Sequence, residues 1–316
     1  MKAARGALGY AEVLGAAVLW GSSGIFSVHL FRRGVTAEDV ALLRPVLGAV
    51  FLLAALPFLG RGRPRPGLRG LIFLGGLGGL LTGVFQLAYQ MSTASLGVPT
   101  TVALLYLAPA MVVAAAGPLL GEWPSARRVA LAVLSIGGVW LTVLGARGAD
   151  VTLNATGVLW GTLAGAGYAG YTLFGRRASP RYGSVATTIY SVCGASLLLS
   201  AVLPFLPGGV DVPRATGTLA ILVPYALLTI VAAPLLFYDG LGRIEAGRAS
   251  ITATIEPVVA ALLATWLLGQ HLTATGWLGL VLVVVGVAGA YAAPTAASGP
   301  EANAGGGDQA ATPPAV

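Results

Sequence analysis

Ten times along its 316 residues the chain runs on with scarcely a charge, each time for the ~20 residues that an α-helix needs to cross a bilayer. The runs fall at 10–31, 38–59, 68–91, 96–118, 126–146, 153–175, 184–206, 216–239, 247–268 and 273–294. Only 9% of residues are charged, 56% are hydrophobic, and the mean hydropathy is +0.85. A soluble domain carries about 25% charged residues, so this chain cannot cover itself with polar surface, and its solvent is lipid. The first run follows Lys2 and Arg5 as a signal peptide would, but it is too long for one and nine more spans follow it. The expected class is an all-α integral membrane protein of ten transmembrane helices. Residues 295–316, rich in Ala, Gly and Pro, are expected to be a disordered cytoplasmic tail.

The net charge of +7 does not point to nucleic acid, because the basic residues stand singly between oily runs and make no basic face with interleaved aromatics. Cys193 is the only cysteine, and His29 and His271 are the only histidines. No disulfide frame, metal site or cofactor is therefore expected. The expected partners are a small-molecule substrate and the lipid bilayer, with a homodimer open.

The basic residues also orient the chain. With the N-terminus in the cytoplasm, the inner segments hold thirteen of them: Lys2, Arg5, Arg61, Arg63, Arg65, Arg69, Arg127, Arg128, Arg176, Arg177, Arg181, Arg243 and Arg248. The outer loops hold four, Arg32, Arg33, Arg147 and Arg214. Positive charge stays inside, which puts both termini in the cytoplasm.

The two halves repeat. VLWG occurs at 18–21 and at 158–161, and at an offset of 148 Pro109 maps to Pro257, Gly121 to Gly269, Glu122 to Gln270 and Gly138 to Gly286. The repeats are expected at 1–148 and 149–294, before the tail. Five spans per half is an odd number, so the second copy must enter the membrane in the opposite sense, an inverted-repeat plan common among secondary transporters.

On Trp20-Gly21 and Trp160-Gly161, Arg44, Pro109 with Gly121-Glu122, and Glu256-Pro257 with Gly269, the chain resembles the EamA-type ten-helix members of the drug/metabolite transporter superfamily. The resemblance implies two inverted five-helix repeats around a central cavity that moves metabolites, most often outward. Gln270 departs from it, since such proteins usually repeat the glutamate there.

Polar residues at depth are the candidates for chemistry. A charge at mid-membrane costs about 3 kcal/mol, yet Glu256 sits in the middle of the ninth run with Pro257 behind it. Ala249, Thr252, Ala253 and Ala260 share its face, while Ile251, Ile255, Val258, Leu262 and Trp266 make an opposite greasy stripe expected to face lipid. Pro257 and Pro109 remove amide donors and are candidate hinges. Arg44 either snorkels to the outer surface or meets an anion, a substrate carboxylate or Glu256 itself. Trp20, Ser23, Gln86, Tyr89, Tyr106, Trp160 and Tyr168 complete the expected substrate cavity, where rings can stack on a solute or hold an ammonium. For each of them helix packing is the plain alternative.

These residues read as an inner-membrane secondary transporter exporting small metabolites, with amino acids or related amphipathic solutes the leading class. A broad multidrug exporter is the alternative. A single deep glutamate with no deep histidine argues against an intramembrane enzyme, and a membrane scaffold is a further reading.

Overall fold

The computed structural model describes residues 2–59, 66–145, 154–205, 209–268 and 273–292. Among these, all regular structure is helical. In the first half lie α1 (Lys2–Gly21), α2 (Ser23–Phe31), α3 (Ala37–Leu59), a short α4 (Leu68–Leu71) that runs through a π-type turn into α5 (Gly78–Leu105), α6 (Ala108–Leu120) and α7 (Ala126–Leu144). In the second lie α8 (Ala155–Tyr182), α9 (Ser184–Val202), α10 (Thr216–Ala226), then after another π-type turn α11 (Ala233–Leu241), α12 (Ala246–Ala253), α13 (Glu256–Leu268) and α14 (Ala274–Ala292). Gly269, Gln270, His271 and the tail lie outside the described residues, so the expectations placed on them have no structural counterpart here.

Eight stretches among the described residues are long and apolar enough to cross a membrane. The two runs that fall short of this measure are α14, whose apolar stretch Ala274–Ala290 is shorter, and α8, whose glycines, tyrosines and paired Arg176 and Arg177 dilute its hydropathy. One boundary also moves. The third and fourth runs, expected at 68–91 and 96–118, occupy Leu68–Val98 and Thr100–Leu120 instead. Gly97, at φ 77°, makes the turn between them without a loop, in backbone space that only glycine enters freely.

The halves interleave. Helix α5 packs on α8 and α9, α1 on α11, α3 on α9, α6 on α12, and α7 on α14, so each of these contacts joins one half to the other. Small residues let the backbones close. A Cβ on Gly79 would lie 2.6 Å from the Gly194 carbonyl carbon, and one on Gly138 would lie 2.8 Å from the Gly279 oxygen. In lipid, where burial of apolar surface does not drive helices together, such close approach supplies the packing attraction. The outer surface is left oily: Phe58, Phe205 and Trp266 are 82, 83 and 87% exposed.

Two helices break at matched places. The α5–α6 break falls at Tyr106 and Leu107, the α12–α13 break at Thr254 and Ile255, and each pair is 148 residues from its counterpart. Pro109 and Pro257 follow at the same spacing and lack the N–H that would bond the carbonyl four residues back, on Leu105 and Ala253. The second break corrects the expected lipid stripe. It re-phases the helix, so Ile251 and Val258 are buried, while Leu262 and Trp266 stay exposed.

Candidate functional site

Arg44 does not snorkel. It is 3% exposed and donates from Nη1 to the Gln86 side-chain oxygen at 3.1 Å and from Nη2 to the Thr229 hydroxyl at 2.6 Å. Its guanidinium carbon lies 3.8 Å over the centre of the Tyr225 ring, a cation–π contact in a dry setting. Tyr225 is held in turn by Ser27 at 2.7 Å, by the Gln90 amide at 3.2 Å and by stacking on Phe26. The Arg44 Nε has no hydrogen-bond partner, and among the described residues Arg44 makes no ion pair, with Glu256 or any other acid.

Glu256 opens α13 and is 7% exposed. It accepts a hydrogen bond from the Tyr106 hydroxyl at 2.7 Å, and that hydroxyl also lies 3.1 Å from the Ala253 carbonyl. Ala253 carries the carbonyl that Pro257 leaves without a donor. A tyrosine at the first break therefore satisfies the backbone of the second.

Trp20 answers a similar need. Its indole N–H donates to the Thr229 carbonyl at 3.0 Å. In the π-type turn over Leu227–Ala232 that carbonyl would look five residues ahead for a donor, to Pro234, which has none. The indole ring also meets Tyr168, Tyr171 and Phe237 edge-on, with centroids 5.9, 6.3 and 5.1 Å away.

Between these groups lies a cavity of about 20 Å³ lined by Trp20, Ser23, Arg44, Phe85, Gln86, Tyr89, Leu105, Tyr168 and Glu256. Trp20, Phe85 and Gln86 separate it from a second space of about 10 Å³, bounded also by Thr82, Tyr171, Ser191, Val192, Pro234 and Tyr238. Either space holds little more than one water molecule.

Of the nine residues expected around a cavity, seven line this one, and Tyr106 reaches it through Glu256. Trp160 does not: it is half-buried against the core, away from the lining. The repeated VLWG misplaces it because its copies are 140 residues apart, whereas the helix breaks are 148 apart. At 148 the partner of Trp20 is Tyr168, the ring it touches. The same offset pairs Ser23 with Tyr171, Gln86 with Pro234, and Arg44 with Val192, each time matching a residue of the first space with one of the second. Phe85 and Leu105, apolar letters in apolar runs, carried no signal.

A bundle of membrane-length helices around a small internal space, lined by a carboxylate and by a guanidinium that makes no ion pair among the described residues, fits a membrane transporter. The chain belongs to the EamA-like transporter family, whose model matches it twice, over residues 7–144 and 155–292. It is similar to the uncharacterized inner membrane transporter YicL of Salmonella typhimurium, 25% identical over 288 residues, with 88% of this chain and 93% of that protein covered. An uncharacterized transporter of Archaeoglobus fulgidus is 29% identical over 285 residues, covering 88% of this chain and 94% of its own. A solved crystal structure shares the fold at a TM-score of 0.72 and 19% identity, over 89% of this chain and 96% of that one.

Proposed function

We propose that this protein is an inner-membrane secondary transporter that exports small metabolites, with amino acids or related amphipathic solutes as its leading substrates. It works by alternating access of ten helices arranged as two inverted five-helix repeats. The observation that carries the substrate reading is the placing of Arg44 and Glu256 in one aromatic-walled cavity without an ion pair between them. A buried guanidinium with a spare N–H suits a carboxylate, and Glu256 among rings suits an ammonium. The matched breaks, the two family matches offset by 148 residues (155 minus 7) and the mirrored cavity residues support the repeat plan. The name of the Salmonella relative and the distribution of basic residues support an inner-membrane setting with cytoplasmic termini. Glu256 is the candidate carrier of a coupling proton, and Pro109 and Pro257 are the candidate hinges.

An export screen of labelled amino acids and toxic analogues in overproducing cells tests the reading. Faster efflux and resistance confined to zwitterionic solutes are expected. Resistance to unrelated lipophilic cations would replace it with multidrug efflux, and no movement of any solute by the purified protein in liposomes would remove transport of this class.

A further inference from the structure

The two ends of the bundle are not tied together in the same way. Among the described residues five ion pairs occur, and all gather at the end of the bundle where α6, α8 and α11 finish and α7 and α12 begin. Three of them cross between the halves. Glu122 accepts from the Arg176 Nε at 2.5 Å and, with its other oxygen, from the backbone N–H of Ala246 at 2.8 Å, so it ties α8 and the start of α12 to the end of α6. Arg128 meets Glu245 at 2.5 Å, and Arg248 joins the same carboxylate oxygen at 3.1 Å while reaching the Tyr10 hydroxyl. Glu12 meets Arg243 at 2.7 Å. The segment 241–248 of the second half is thus clasped by the first half at α1, α6 and α7.

The opposite end has charges too, among them Arg32, Arg33, Glu38, Asp39, Asp211 and Arg214, but no ion pair among the described residues. There the halves are joined by hydrogen bonds: Asp39 accepts from the backbone N–H of Asp211 at 2.8 Å, the Asn154 amide donates to the Ser95 carbonyl at 3.1 Å, and the Thr273 N–H donates to the Gly145 carbonyl at 2.9 Å. The repeat makes the inequality plain. At the 148-residue offset, Glu122 falls on Gln270, Arg128 on Gly276, Glu245 on Gly97 and Arg248 on Thr100, none of them charged. A scaffold with two equivalent ends has been given ion pairs at one.

We infer that these three ion pairs form a latch that holds the cytoplasmic end shut, and that its release is the step that admits solute from the cytoplasm. The inference rests on the transporter reading for its purpose but not for its test. These pairs are partly buried, so removing one partner leaves the other's charge uncompensated in a poorly hydrated setting and disfavours the closed arrangement. Opening the other end breaks no ion pair seen in the structure. At rest the protein is therefore biased towards states closed to the cytoplasm.

The test is made on the full-length protein with Cys193→Ala and a reporter Ser191→Cys, which lines the second of the two spaces. The probe is a membrane-impermeant maleimide applied to inside-out vesicles. With the latch intact, labelling of the reporter is expected to be slow. Glu245→Gln, which leaves Arg128 and Arg248 without that partner, should speed it about tenfold, between what exposed and buried pairs give. Glu12→Gln, a milder change that keeps the protein foldable if the first variant is not, should speed it in the same direction. Asp39→Asn should leave cytoplasmic labelling unchanged. Unaltered labelling in both folded latch variants, rapid labelling of the unmodified latch, or acceleration only from the outer face would each overturn the inference. No solute is needed for this measurement. A latch that responds in a protein that moves nothing would end the transporter reading and leave the latch standing.

Discussion

The Tyr106 hydroxyl lies within hydrogen-bond reach of two acceptors on the other half of the protein, the Glu256 carboxylate at 2.7 Å and the Ala253 carbonyl at 3.1 Å. One hydroxyl proton serves one acceptor well. When Glu256 is ionised it is the stronger acceptor. When Glu256 is protonated it can itself donate to the tyrosine oxygen, and the hydroxyl turns to the carbonyl that Pro257 leaves without a donor. The protonation state of the acid and the bonding of the helix break are thereby linked through one atom.

Tyr106→Phe removes both of these bonds at once. It keeps the ring and removes the bond to the carbonyl at the break, and an unsatisfied buried carbonyl costs about 1–3 kcal/mol. The variant should unfold at a lower temperature in detergent than the parent, with its helix content unchanged. An unshifted melting curve would mean that water or another group satisfies Ala253.

Glu256→Gln preserves shape and hydrogen bonding but cannot release a proton. If the acid carries the coupling proton, the variant should lose uptake driven by a pH gradient in proteoliposomes while retaining exchange of solute between the two sides. Full pH-driven uptake by the glutamine variant would assign the acid to packing. Loss of both modes would place it in solute binding.

Arg44→Lys retains the charge and loses the planar fork that bonds Gln86 and Thr229 together. Affinity for a carboxylate-bearing solute should drop by about tenfold or more, equivalent to ~1.4 kcal/mol. Affinity for the corresponding amine without the carboxylate should change little. Equal weakening for both solutes would show that Arg44 serves the architecture of the cavity alone.

Topology is checked in the Cys193→Ala background with Arg127→Cys and Arg214→Cys, both exposed and at opposite ends of the bundle. An impermeant thiol reagent should reach the first only from the cytoplasm and the second only from outside. The reverse pattern would invert the orientation and place the ion pairs at the outer end.

The apolar runs, the 148-residue repeat and the two proline breaks were legible because each has a strong physical signature: length, spacing and a missing N–H. Arg44 and Glu256 were legible for a related reason, since charge at depth is costly and stands out against hydrocarbon. The letters alone did not carry environment. Trp160 shares a tetrapeptide with Trp20 and yet packs against the core, while Tyr168, with no shared motif, is the true counterpart. Ile251 and Val258 were assigned to lipid by a phase that assumed an unbroken helix, and the turn at Thr254 and Ile255 brings them inside. The ion pairs that join the halves involve residues that read as ordinary inner-loop charges until the fold sets α1, α6 and α7 beside 241–248.

A cavity of about 20 Å³ has a kinetic meaning. Neither of the two spaces would admit a molecule much larger than water, so each solute moved through them requires Trp20, Tyr168 and their neighbours to give way and then repack. Flux through such a protein is counted in turnovers, saturates with concentration and slows steeply on cooling.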